Sequence, residues 1–219
     1  MEPTRVGVIG SGAVGRALAA GFASRGHEVT IGTRAPEEND DLQAWAAQHD
    51  GVAIGTFAAA AEGGEIVVLA TRGTAVEAAL ESAGPQHFAG KVVIDATNPL
   101  APDPATGGPG LAVGHTDSGG ETVQRALPDA RVVKAFNTVN NALMVDPGLA
   151  GGRQPMFVAG DDDDAKATVA AILDDFGWDA FDVGGIEQSR QLEALVLLWV
   201  AVGRRRGAYD HAFTLVTPG

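Results

Sequence analysis

Three glycines near the start of the chain, Gly10, Gly12 and Gly15, fall on a G-x-G-x-x-G spacing between the apolar run Val6 to Ile9 and the helix-forming run Arg16 to Arg25. Each answers a different steric demand. Gly10 allows a tight turn, Gly12 lets the backbone approach a pyrophosphate, and Gly15 lets helix and strand pack closely. The unpaired N–H groups of the helix N-terminus then face an anion. The chemistry implied is dinucleotide binding. The next apolar run, Glu28 to Arg34, brings its end beside the ribose of such a ligand. An NAD site wants a carboxylate there; this strand ends in Thr33 and Arg34, and Glu28 lies at its other end. A guanidinium fork suits a 2′-phosphate, so the residues point to NADP(H) rather than NAD(H).

Further polar residues stand where later strands end. Glu65 to Ala70 is a continuous apolar run leading into Thr71 and Arg72; Val92 to Asp95 leads into Thr97, Asn98 and Pro99; Arg131 to Lys134 leads into Ala135, Asn137 and Thr138. In an open parallel sheet ligands lie at carboxyl ends of strands, which puts Ala70, Thr71 and Arg72 beside the cofactor. Asn98-Pro99 forms a turn at its nicotinamide end. Asn137 and Thr138 can offer neutral hydrogen bonds to a flat polar ring. Lys134 reads as a residue flanking its strand.

The elements that must carry these residues alternate. Strands are expected at 6–9, 28–34, 52–54, 65–70, 92–95 and 131–134, with helices at 16–25, 42–49, 57–62, 74–82 and 118–127. Apolar runs without polar alternation suit strands covered on both faces. Residues 101–120, rich in Gly and Pro, read as a long loop and a candidate flap, with His115 solvent-facing. From about Gly151 the pattern repeats in miniature. A strand at 156–159 precedes Asp161 to Asp164, a run that invites a metal reading but is better explained as helix-opening carboxylates; no metal site is assigned. A strand at 178–183 follows. The last helix, Gln188 to about Arg206, carries Leu192, Leu195, Val196, Trp199 and Val202 on a stripe, with apolar surface left for a second subunit. The expectation is an α/β fold: a Rossmann-type doubly wound parallel sheet with a small C-terminal α/β lobe, divided into an NADP-binding domain at 1–150 and a small domain at 151–219.

Composition narrows the field. The 219 residues include no cysteine, which excludes disulfides, thiolate metal sites and dithiol redox chemistry. A net charge of −13 argues against nucleic acid or an anionic membrane surface as partner. The longest apolar run, Ala194 to Val202, is about half of what a bilayer span needs. No targeting segment is read in the opening residues, so a cytoplasmic location is expected.

Five segments, taken in order over nearly the whole chain, resemble the NADPH-dependent reductases of the 8-hydroxy-5-deazaflavin coenzyme F420. They are Gly7 to Gly15, Gly26 to Arg34, Asp95 to Leu100, Val133 to Thr138, and the late Gly177-Trp-Asp with Ser189-Arg190 and Leu192-Glu193. The first is generic to dinucleotide-binding proteins; the Gly-Thr-Arg and Lys-Ala-Phe-Asn segments are more specific. Cytosolic reductase domains of certain membrane ferric reductases share them. The resemblance implies that Ser11, Ala13 and Val14 hold the pyrophosphate and Thr33 and Arg34 the 2′-phosphate. Thr71, Arg72, Thr97, Asn98 and Pro99 would border the nicotinamide riboside. The deazaflavin would stack beside Ala135, Asn137 and Thr138. Where many members carry another basic residue, this chain has Pro36-Glu-Glu. Hydride transfer between stacked rings needs orientation and dryness rather than a protein acid; a proton at the deazaflavin can come from solvent or from a hydroxyl, for which Thr138 is a candidate, and no catalytic acid is assigned.

Other classes stay open. An NADPH-dependent FMN or ferric-chelate reductase differs only in its acceptor, and a non-catalytic NADPH sensor would share the nucleotide site. Pyrroline-carboxylate and hydroxyacid reductases fit less well, since they carry a larger helical second domain.

Overall fold

The computed structural model describes residues 2–216 and Pro218. The chain alternates strand and helix through β1 (Arg5–Ile9), α1 (Ala13–Ser24), β2 (Glu28–Thr33), α2 (Asp40–Ala46), β3 (Val52–Thr56), α3 (Phe57–Gly63), β4 (Ile66–Leu69), α4 (Val76–Ala83) and β5 (Val92–Asp95). A small hairpin, β6 (Leu100–Pro102) and β7 (Pro109–Leu111), precedes α5 (Gly119–Ala126) and β8 (Arg131–Lys134). The chain ends with β9 (Pro155–Gly160), α6 (Asp163–Asp175), β10 (Asp179–Asp182) and α7 (Ser189–Arg206).

Eight strands form one sheet in the order β10-β9-β8-β5-β4-β1-β2-β3. All neighbours are parallel except β8 and β9. The α/β doubly wound fold read from the sequence is therefore the observed one. The apolar runs are continuous because each inner strand is buried on both faces. In β4, Ile66 and Val68 join one core cluster with Leu18, Phe22 and Ile172, while Val67 and Leu69 join another with Ala60, Leu80 and Val123. Thus α1 and α6 cover one face, and α3, α4 and α5 the other.

Sheet order reverses at β1. From there the chain winds one way through β2 and β3, then returns to β4 on the other side. Such a switch point opens a crevice at the carboxyl ends of the two strands. The segment after β8 stays along this edge for 20 residues without a crossover helix, including a short 3-10 turn at Asn141–Leu143. It therefore enters β9 from the same edge, which makes that pair antiparallel. The strands beyond residue 150 extend the same sheet.

Two readings are corrected here. Residues 101–120 are not a featureless loop, because the hairpin orders their first part. The Asp103 carboxylate accepts from Ala105 N and Thr106 N at 2.8 and 2.9 Å, and Gly107 turns the chain at φ +66°. Lys134 does not flank its strand at the surface; it is fully buried with two carboxylates. The Asp161 to Asp164 run opens α6 as read: Asp162 caps Ala165 N at 2.7 Å, and Asp163 pairs with Lys166. His115 is exposed. Of the α7 stripe, Leu192, Val196 and Trp199 are buried and Leu195 and Val202 half-buried; Leu198, outside the stripe, is exposed. No helix among the described residues is long and apolar enough to cross a membrane.

Candidate cofactor and active site

The glycine turn leaves β1 into the crevice. Gly10 sits at φ +122°, and a Cβ there would lie 2.6 Å from the Ala70 carbonyl oxygen, so β1 and β4 meet too closely for any side chain. Gly15 is buried, and its Cβ would come within 2.0 Å of the Gly10 oxygen. Gly12 is different: nothing lies within 4 Å of a Cβ built there. The space it leaves is groove, at the N-cap of α1, where a side chain would fill the cradle that backbone N–H groups offer to an anion. The rim is tied to β2 by Ser11 Oγ donating to Thr33 Oγ1 at 3.4 Å.

The groove has a volume of about 680 Å³ and is bordered by Gly10, Ser11, Gly12, Ala13, Val14, Thr33, Arg34, Ala70, Thr71 and Arg72. Its far wall was not read from the sequence: Phe57 and the α4 face Ala75, Ala78, Ala79 and Ser82. Small residues at i, i+3, i+4 and i+7 are the signal that could have found it. Arg34 and Arg72 are exposed and enter no ion pair among the described residues. In a chain of charge −13, two uncommitted guanidinium groups on one groove are a local anion trap. The Pro36–Glu38 turn beyond Arg34 adds no cation.

A second cavity of about 360 Å³ continues the groove toward β5, lined by Val14, Ala70 to Thr74, Ala96, Thr97, Asn98 and Leu100. Thr71 borders both cavities, and its Oγ1 is buried and without a hydrogen-bond partner. Leaving such a group unsatisfied costs about 1–3 kcal/mol, which a ligand's polar atom would recover. The open cradle at Gly12, the orphaned Thr71 hydroxyl and the free arginines together fit a phosphorylated dinucleotide.

Several residues read from the sequence do not reach these cavities. Pro99 borders a smaller space behind them, with Ala112 and Gly119. Ala135 has no exposed surface, and the Asn137 amide is spent internally, donating to Asn98 Oδ1 at 3.1 Å and to Leu192 O at 2.8 Å. Thr138 is buried and lines neither cavity. The competing use is structural: the exit of β8 is a clamp. Phe136, within it, is a bulky residue at φ +60°, a conformation costing about 1–2 kcal/mol that the neighbouring bonds must hold.

Beneath the clamp lies the network that the sequence reading missed. Lys134 Nζ donates to Asp95 Oδ2 at 2.9 Å, to Glu193 Oε1 at 2.6 Å and to the Thr97 carbonyl at 2.7 Å. Asp95 Oδ1 accepts from Thr97 N and Oγ1 at 2.9 and 2.7 Å. Glu193 also accepts from Gly119 N and Gly120 N, at 2.9 and 3.0 Å. The N-terminus of α5, whose Gly119 and Gly120 N–H groups meet Glu193, adds positive partial charge beside that carboxylate. Burial works against the Lys134 cation, but the two carboxylates outweigh it and hold its pKa above the ordinary lysine value.

A family model described as NADP oxidoreductase, coenzyme F420-dependent, matches residues 5–99. A crystal structure from Arthrobacter sp. FB24, of a candidate F420-dependent NADP-reductase, superposes with a TM-score of 0.93 at 42% identity, covering 98% of this chain and 100% of that one. The hypothetical protein SMa0349 from Sinorhizobium meliloti gives a TM-score of 0.68 at 28% identity, over 86% of this chain and 88% of its own. Metalloreductase STEAP3 of Rattus norvegicus is 29% identical over 196 residues, 90% of this chain. The chain spans 37% of the length of that curated relative.

Proposed function

Since the chain belongs to the coenzyme F420-dependent NADP oxidoreductase family, we propose that the NADP-dependent oxidoreduction it performs is hydride transfer between NADPH and the deazaflavin coenzyme F420. The observation that carries this reading is the continuity of the two cavities through Thr71, from an arginine-bearing groove to a pocket whose lining holds no carboxylate, histidine or lysine. A pocket of that kind is suited to a reaction needing orientation rather than proton transfer. The two coenzymes supply the redox chemistry. The protein's part is to hold and to orient. Arg34, with Thr33, takes the 2′-phosphate; Ser11 to Val14 take the pyrophosphate; Thr71 hydrogen-bonds the nicotinamide half, which Thr97 and Asn98 border. Thr97 spends both its N–H and its hydroxyl proton on Asp95, so it can only accept from a ligand. Leu100, 40% exposed at the pocket rim, offers the acceptor ring an apolar edge.

In this reading residues 1–150 form the nucleotide unit and 151–219 a smaller unit that backs the acceptor side. The enzyme works in the cytoplasm as a homodimer through the exposed face of α7 around Leu198. The likeness to a metalloreductase favours a second reading, in which FMN or a ferric chelate replaces the deazaflavin. Mixing the protein with NADPH and each of coenzyme F420, FMN and FAD, and following the deazaflavin and NADPH absorbance bands, separates them. Rapid bleaching of the deazaflavin alone supports the first. Turnover of FMN without the deazaflavin replaces it with the second, and no turnover with any acceptor leaves nucleotide binding as the whole activity.

A further inference from the structure

Hydride transfer makes no direct use of the buried Lys134 network, yet the network ends on a wall of the pocket. We propose that Lys134 and Glu193 are positioning residues for the nicotinamide end of the groove, fixing Thr97 and Asn98 by tying both to the first turns of α7. The inference rests on the NADP-binding part of the proposed function.

Every polar atom of Thr97 is engaged: its N–H and hydroxyl by Asp95, its carbonyl by Lys134. The peptide planes on both sides of it are thereby set. Asn98 is held in the same manner one residue on. It donates to the Asn137 carbonyl at 2.8 Å and accepts from the Asn137 amide. The two tethers converge on adjacent positions of α7, because Lys134 is bonded to Glu193 and Asn137 to the carbonyl of Leu192. Two neighbouring wall residues are thus connected, through two residues at the exit of β8, to two neighbouring residues of the last helix.

A role in stability alone explains this poorly. Taking one ammonium and two carboxylates out of water is expensive, and an apolar cluster of similar volume would hold α7 at least as well. What the charged arrangement adds is direction, since each bond fixes one atom of the Thr97 turn at hydrogen-bond length. The adenosine end has no share in it, for none of Ser11, Gly12, Thr33 or Arg34 is bonded to Lys134, Asp95 or Glu193.

Calorimetric titration with two ligands reads the two ends separately. NADP+ spans the whole groove; 2′-phospho-ADP-ribose carries the adenosine, the 2′-phosphate and the pyrophosphate but no nicotinamide. In Lys134→Met the dissociation constant for NADP+ is expected to rise about tenfold or more, while that for 2′-phospho-ADP-ribose stays within about twofold. Glu193→Gln keeps the volume, serves if Lys134→Met does not fold, and should show the same selective loss. Equal losses for both ligands, or unchanged NADP+ affinity in folded variants, would overturn the proposal. Failure of the unmodified protein to bind NADP+ overturns the cofactor reading instead.

Discussion

The two ends of the groove are built on opposite principles. The end proposed for the phosphates is local and open: Gly10 to Val14 are consecutive, Thr33 and Arg34 close the next strand, and the arginine is unpaired and exposed. The end proposed for the nicotinamide is backed by a network assembled at a distance and sealed from solvent. Lys134 meets carboxylates 39 and 59 positions away, with no solvent on any of the three. An open end with uncommitted charge can capture an anion without rearranging. A sealed end with committed charge can hold a ring at one distance. On the proposed reading, capture and alignment fall to separate parts of one crevice.

Substitutions test that division, and the largest effect falls at the sealed end. Lys134→Met leaves two buried carboxylates facing each other and should cost about 3–5 kcal/mol in urea denaturation. A loss under about 1 kcal/mol would mean that the network is not under the strain of buried charge, and the contrast would lapse. Next comes a pair at the open end. Gly10→Ala forces a side chain against the Ala70 carbonyl at positive φ and should destabilise by about 2–4 kcal/mol. Gly12→Ala meets no atom, so the melting temperature should hold while NADPH affinity drops; a destabilised but binding-competent Gly12 variant would contradict the cradle. Arg34→Ala is expected to weaken NADPH by about 1.5–3 kcal/mol, leaving NADH affinity and stability nearly unchanged. Equal losses for the two nucleotides would remove the 2′-phosphate from its role.

The smallest effect belongs to neither end. His27 is buried edge-on against Phe22, and its Nδ1 accepts from Thr4 N–H. Burial pulls its pKa below the ordinary 6.5, so the folded chain binds fewer protons than the unfolded one. Its contribution is whole above that ordinary value and is lost as pH falls through the lowered one. Thermal melting between pH 7 and 5 should show a shallow decline that His27→Gln flattens, with NADP+ affinity of the folded protein following no such curve.

What the sequence disclosed divides along the same line. The strand, turn and helix around Gly10 to Gly15 are legible because steric demand and residue type coincide within one segment. The doubly wound sheet is legible because double burial leaves unbroken apolar runs such as Glu65 to Ala70. Lys134 was invisible for the opposite reason: a lysine at a strand end is ordinarily solvated, and only the return of α7 makes it a buried one. Asn137 was read as a ligand contact because its residue type allows it; the tertiary structure had already taken both of its amide protons. The hairpin at 100–111 escaped because three-residue strands carry too little periodicity to register beside Gly and Pro.

The long sequence separation within the Lys134 network also sets a timetable. All strands that carry the glycine turn, Arg34 and Thr71 are complete by residue 72, whereas the second carboxylate on Lys134 belongs to Glu193, on the last helix. During synthesis the nucleotide cradle can therefore exist long before the pocket can close over its lysine. Until α7 docks, that ammonium has Asp95 as its one carboxylate partner, and the Asn137 amide lacks the Leu192 carbonyl. On the proposed reading, a ribosome stalled between these points would display a chain able to grip the phosphates of a nucleotide and unable to aim its ring.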